Sequence, residues 1–158
     1  MFRRTALILS ALILGIIGCS QQTAPVDIEA EKTAVAAVLA NYVDAVEKED
    51  MNLYSAVISH DSTMINFGST GDPIIGWEAL KKVIESQNSA LDSIDVEVSD
   101  VRIHVAPCGG MAWATSLWTL KAKAVDKSVS LQVRCTWALE KDGNIWLIVH
   151  FHKSVAAV

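Results

Sequence analysis

The β-patterned stretches in the second half of this 158-residue chain lack acid: Met111–Ala124, Ser128–Leu139 and Ile145–Val155 contain no Asp or Glu. A pocket walled by those stretches has no carboxylate from their inner parts to serve as a general base. Cation is scarce as well, with 13 Lys and Arg against 18 Asp and Glu. That balance excludes nucleic acid as a partner and excludes charge-driven binding to an anionic membrane. Cysteine occurs only three times. Long apolar runs are missing too: the longest, Thr5–Ile17, is 13 residues, whereas a spanning helix needs roughly 20. No internal repeat or low-complexity segment is present.

What stands at the start of the chain gives that short run a different meaning. Arg3 and Arg4 precede it, and Ile16-Ile17-Gly18-Cys19 closes it in a pattern that resembles a bacterial lipobox. The expectation is a lipoprotein signal peptide over 1–18, lipidation at Cys19, a polar tether over 19–27 and one domain over 28–158. Losing residues 1–18 removes two cations and no acid, so the mature net charge is −7. The lipid, not charge, then holds the protein to the membrane. This places it in a bacterial cell envelope; Ser20 after the cysteine implies the periplasm-facing outer membrane in a Gram-negative host.

From Ile28 the pattern is helical, with Val35, Val38, Leu39, Tyr42 and Val46 on one face and Glu47-Lys48-Glu49-Asp50 ending the run. A short helix over Met51–Val57 follows, then a strand over His60–Phe67, a loop over Gly68–Pro73 and a helix over Trp77–Gln87 with Trp77, Leu80 and Ile84 inward. Afterwards the period changes to two. Strands are predicted over Ile94–Ala106, Met111–Ala124, Ser128–Lys141 and Ile145–Val155, the last pair joined by the hairpin signal Asp142-Gly143-Asn144. Helices first and a meander afterwards is an α+β layout.

Alternation along the third long strand separates Val129, Leu131, Val133, Cys135, Trp137 and Leu139 from Ser130, Gln132, Arg134, Thr136, Ala138 and Glu140. The first face is core. The second suits solvent, a subunit interface or a hydrated pocket, and periodicity does not choose among them. With Cys108 in the turn Pro107-Cys108-Gly109-Gly110 and Cys135 opposite about Trp118, the two cysteines stand roughly 33 Å apart along the strands, so free thiols are expected.

The ending Trp146–Ser154, WLIVHFHKS, resembles the nuclear-transport-factor-two-like superfamily and its SnoaL-like branch, and shares features with the hub (association) domains of calcium/calmodulin-dependent kinase type II. Val43–Tyr54, Ile75-Gly76-Trp77, Ala112-Trp113-Ala114-Thr115, Arg134-x-Thr136, Trp146, His152 and Ser154 continue the resemblance in order. It implies a cone-like roll, in which a curved antiparallel sheet wraps on the N-terminal helices and encloses a pocket, with subunits commonly pairing through the sheet. Several hub-domain pocket cations lie on the last strands; Thr136 and Lys153 stand here where those domains have arginines, and Arg134 is displaced by two residues on the same face as Thr136, a departure from the hub-type ligand site.

The residues name several candidates. Tyr42, Trp77, Trp113, Trp118, Arg134 and Thr136 are the expected pocket set: aromatic walls, with a guanidinium able to hold an anion or carbonyl by two hydrogen bonds, unless Arg134 serves a surface or interface ion pair. His152 and Asp61 are the candidate catalytic bases, although an aspartate opening a strand also suits a turn. His150 and His152 form an HxH pair without a third ligand nearby, and His104 belongs to a more distant strand. No metal and no cofactor are therefore expected. The leading expectation is a lipid-anchored protein that binds a small, partly apolar molecule in the cone, pairs as a homodimer, or both. The alternatives are an isomerase, cyclase or hydrolase-like enzyme working through His152 or Asp61, and an oligomerisation module.

Overall fold

A computed structural model describes residues 25–125 and 127–156; the lipobox and most of the tether lie outside the described residues. Helix α1 (Ile28–Lys48) opens at Asp27, whose carboxylate accepts a hydrogen bond from Ala30 N at 3.1 Å. The charged run that ends it is a two-part joint. Glu49 turns left-handed at φ 53° and closes α1, and Asp50 then caps α2 (Met51–Val57) by accepting from the amides of Asn52 and Leu53.

The predicted strand over His60–Phe67 is mostly irregular. Only Ile65–Asn66 forms β1, paired with β2 (Ile74–Ile75), which follows directly on the loop predicted over Gly68–Pro73. Two-residue strands are too short to show a period. Helix α3 (Trp77–Ala90) begins at Gly76, where φ is 77° and a β-carbon would stand 2.6 Å from the carbonyl oxygen of Ser62. Only glycine fits there. Trp77, Leu80 and Ile84 face the core, as the helical spacing predicts.

The long strands β3 (Asp92–Val105), β4 (Met111–Ala124), β5 (Lys127–Asp142) and β6 (Ile145–Val155) form one antiparallel sheet in chain order. The β5–β6 hairpin turns through Gly143 and Asn144, with Asp142 paired to Ile145. Register irregularities at Asp92/Asp95 and Ser99/Arg102, with a further one at Ala138/Leu139, bend the sheet. Its concave face carries Ala112, Ala114, Trp118, Val133, Cys135, Trp137, Leu139 and Phe151 against α1, whose Val35, Tyr42, Ala45 and Val46 are buried. Phe67 continues β1 alongside β6: its amide donates to Phe151 O and its carbonyl accepts from Lys153 N. The result is the expected α+β cone-like roll. Among the described residues no helix is long and apolar enough to cross a membrane.

Cys135 pairs with Ser116, two residues from the predicted Trp118. Counted from Cys108, Ser116 is eight residues along, roughly 26 Å instead of 33 Å, still beyond disulfide reach. Both described cysteines are free thiols, Cys108 exposed and Cys135 buried.

Candidate functional site

The apolar phase of the sheet and one turn of α1 converge on a single amine. Lys153 is the β6 partner of Cys135 and shares the inner face with Phe151, the partner of Trp137. Its Nζ donates to Tyr42 Oη at 3.2 Å. Four rings surround the ammonium, with centroids at 4.7 Å (Trp118), 4.9 Å (Tyr42), 5.2 Å (Phe151) and 5.8 Å (Trp137). Cation–π attraction of this kind replaces part of the lost hydration. The rings hold one another as well: Tyr42 meets Tyr54 edge-on at 5.4 Å and Trp137 at 4.9 Å. Trp137 Nε1 donates to the Ser116 hydroxyl at 3.4 Å.

No ion pair to Lys153 is present among the described residues, and no described Asp or Glu is buried. Desolvation by the rings therefore lowers the ammonium's pKa to about 8. Burial also pushes the Cys135 thiol up to about 11, and it raises both the Tyr42 and Tyr54 phenols well above the ordinary tyrosine range. The interior's titratable groups are thus an amine, two phenols that stay protonated and a thiol that stays protonated.

Two clefts reach this cluster. One of about 180 Å³ touches Lys153, Tyr42, Tyr54 and Phe151, and is closed on its far side by Leu80 and Ile84 of α3. Lys153 is half-buried as a residue because this cleft opens onto it, even though its ammonium end is desolvated. The other, about 450 Å³ and largely apolar, runs between α1 and the bend of β3, with Trp118 and Trp137 as its inner wall.

Of the residues expected in the pocket, Tyr42 and Trp118 are in the cluster. Trp77 is buried elsewhere, stacked on His60 at 4.4 Å. The other three lie on the convex face. Trp113 is 49% exposed and stacks on His104, Thr136 is exposed, and the Arg134 guanidinium donates to Val155 O at 3.0 Å. Strand parity is the reason: the cone encloses the phase of Cys135 and Trp137, and their chain neighbours point away from it.

The candidate bases are also outside. Asp61 is exposed and accepts from Thr63 N at 2.6 Å and Thr63 Oγ1 at 2.7 Å, two bonds that lower its pKa and mark a turn aspartate. His152 is exposed, edge-on to Phe67 at 5.7 Å, while His150 Nδ1 is bonded to the Ile65 carbonyl. Strict alternation from Trp146 and Ile148 would carry both histidines inward. Ala138 pairs with His150 and Leu139 with Ile148, so Val149 is an extra residue in β6. It reverses the phase, turning the histidines out and Lys153 in. Among the described residues no three His, Cys, Asp or Glu side chains converge in a metal-binding group.

Residues 35–158 match the family model of the SnoaL-like domain. Solved structures with the same fold include a candidate dehydratase of the nuclear-transport-factor-two-like family from Streptomyces avermitilis, with TM-score 0.74 and 14% identity over 82% of this chain and 99% of that one. A nuclear-transport-factor-two-like superfamily protein from Salmonella enterica gives TM-score 0.74 at 19% identity, covering 82% of this chain and 94% of that one. A candidate calcium/calmodulin-dependent protein kinase type II association domain from Thiobacillus denitrificans gives 0.66 at 16%, covering 77% and 94%. No curated protein matches the sequence.

Proposed function

We propose, from the premise that this chain belongs to the SnoaL-like domain family, that it binds a small, partly apolar molecule in its cone, with an anionic or carbonyl group of that molecule at Lys153. One observation carries the reading: a desolvated ammonium stands in an aromatic enclosure with no described carboxylate paired to it, at the end of a cleft open to small molecules. A buried charge without a partner is costly. A ligand anion or carbonyl oxygen reaching Nζ supplies the missing acceptor, and Leu80 and Ile84 accommodate an apolar body.

Benzoate is a suitable probe, because it combines a carboxylate with a flat apolar ring. Titration of the protein with benzoate, followed by tryptophan fluorescence and calorimetry, is expected to show saturable binding that Lys153→Met weakens by about tenfold or more. Equal affinity of wild type and variant would sink the reading.

The same proposal includes two further parts. The convex face, with Met111, Trp113 and Leu117 each at least 42% exposed on β4, is read as the surface that pairs with a second copy of the chain. The lipobox sequence is read as anchoring the mature protein to the cell envelope through Cys19. Cys19→Ala is expected to release the protein from the membrane fraction, and retention of that variant after a high-salt wash would refute the anchor.

A further inference from the structure

We propose that Lys153 is a covalent site as well as a charged one: its amine condenses with a small aldehyde or ketone that enters the α3-side cleft, forming an imine within the aromatic enclosure. This rests on the reading of Lys153 as the ligand-facing group and goes beyond it, since it assigns a reaction and a carbonyl class to the site.

A lysine acts as a nucleophile only when its nitrogen is uncharged, and proteins achieve this by removing the amine from water or placing another cation beside it. Here four rings do the former, and no described carboxylate is present to restore the charge. With a pKa of about 8, roughly a tenth of the amine is uncharged at neutral pH. Lys48, at the opposite extreme, is exposed and held protonated by Asp44.

The neighbours supply what the condensation needs. The Nζ lone pair forms a bond to the carbonyl carbon, the carbonyl π pair moves to oxygen, and one proton passes from nitrogen to that oxygen to give a neutral carbinolamine. The carbon–oxygen bond then breaks as the nitrogen lone pair forms the C=N bond, and the oxygen leaves as water. Tyr42 Oη, 3.2 Å from Nζ and kept protonated by burial, is placed to donate the proton that the departing oxygen takes. Solvent returns a proton to the phenolate, matching the one that the ammonium released to become nucleophilic, so the product is an iminium. No oxidant or co-reactant is required, and hydrolysis reverses the step.

Charge is also conserved across the site. An ammonium plus a neutral carbonyl becomes an iminium plus water, so the cation that the rings already surround is replaced by another at the same place. The cleft of about 180 Å³ limits the partner to a compact aromatic or short aliphatic carbonyl compound. Leu80 and Ile84 give the cleft an apolar side, and Ser69, Thr70 and Gln87 a polar one, so a carbonyl compound of mixed polarity fits.

The test uses benzaldehyde with cyanoborohydride, which reduces an iminium to a stable secondary amine, followed by peptide mapping of the full-length protein. The expected result is a single benzyl adduct at Lys153, formed about tenfold faster than at exposed Lys121. Benzoate should suppress it by competition. Tyr42→Phe should slow adduct formation several-fold more than it weakens benzoate binding, separating proton transfer from binding. Labelling of Lys153 no faster than Lys121 overturns the covalent proposal. Benzoate binding that depends on Lys153, with no adduct there, refutes the reaction and leaves the ligand reading standing. An adduct at Lys153 without benzoate binding does the reverse.

Discussion

Arg134 and Lys153 lie one register position apart on neighbouring strands, since Arg134 pairs with Ser154 and Cys135 with Lys153. They nevertheless belong to different environments. Arg134 is on the convex face, in solvent, spending one hydrogen bond on the Val155 carbonyl. Lys153 is on the concave face, its ammonium packed among Trp118, Tyr42, Phe151 and Trp137. The faces differ in the same way for aromatics: Trp137 is 2% exposed and Trp113 49%. Residue type therefore says little about a role in this sheet until strand phase is known.

The sharpest way to break this comparison is to truncate one tryptophan on each face. Trp137→Ala removes a fully buried ring at the centre of the aromatic cluster and should cost about 3–5 kcal/mol of stability, measured by urea unfolding. Trp113→Ala should cost the folded subunit less than about 1 kcal/mol. If the convex face pairs two copies, Trp113→Ala should instead weaken self-association by about tenfold, read by sedimentation. Similar unfolding losses for the two variants would mean that the faces are not distinguished as described.

A smaller effect of opposite sign is expected at Lys153. The ordinary lysine pKa of 10.5 is lowered to about 8 in the folded protein by desolvation. Between those values the unfolded chain holds more protons than the folded one, so wild-type stability should rise as pH increases from about 8 to 10.5. Below about 8 the buried charge is a standing cost. Lys153→Met keeps the stem and removes that charge; set against loss of attraction to the rings, the net gain near neutral pH should be about 1–2 kcal/mol. The variant should also lack the alkaline rise. Benzoate affinity of the wild type should fall above about pH 8, as the ammonium that holds it loses its proton. A Lys153→Met protein less stable than wild type at neutral pH would contradict the account.

The fold was legible because its signals are long. Helical spacing from Val35 to Val46 and two-residue alternation over four strands survive small errors, and Gly76 and Asp142-Gly143-Asn144 stand where the backbone needs them. The site was less legible because it depends on one inserted residue. Val149 shifts β6 by a single position, so alternation followed from Trp146 leads to His150 and His152 when the inward residues beyond it are Phe151 and Lys153. A bulge of this kind leaves no composition signal. The signal that was available is cross-strand: a residue opposite Cys135, flanked by the partner of Trp137, must share their face. In β4 the sequence Ala112-Trp113-Ala114 misleads for another reason. The alanines are the buried residues, at 1% and 0% exposure, and the large ring between them points out.

Arg134 gives the smallest expected effect and sets the scale for the rest. A guanidinium buried in a pocket without an anion would make Arg134→Met stabilising and would abolish ligand retention. On the convex face neither follows. The charge is already hydrated, and substitution removes only one exposed hydrogen bond to Val155 O, worth at most about 1 kcal/mol. Benzoate binding should be unchanged, because the guanidinium and the Lys153 ammonium lie on opposite sides of the sheet. The one measurable consequence lies in pairing: Arg134 adjoins Leu117 across β4 and β5, so a convex-face dimer brings it to the contact. Arg134→Met should then shift the dimer constant several-fold at low salt and less at high salt, as screening weakens any charge contact across the interface. A lost benzoate response in this variant would return Arg134 to the cone, and with it the assignment of the two faces would fail.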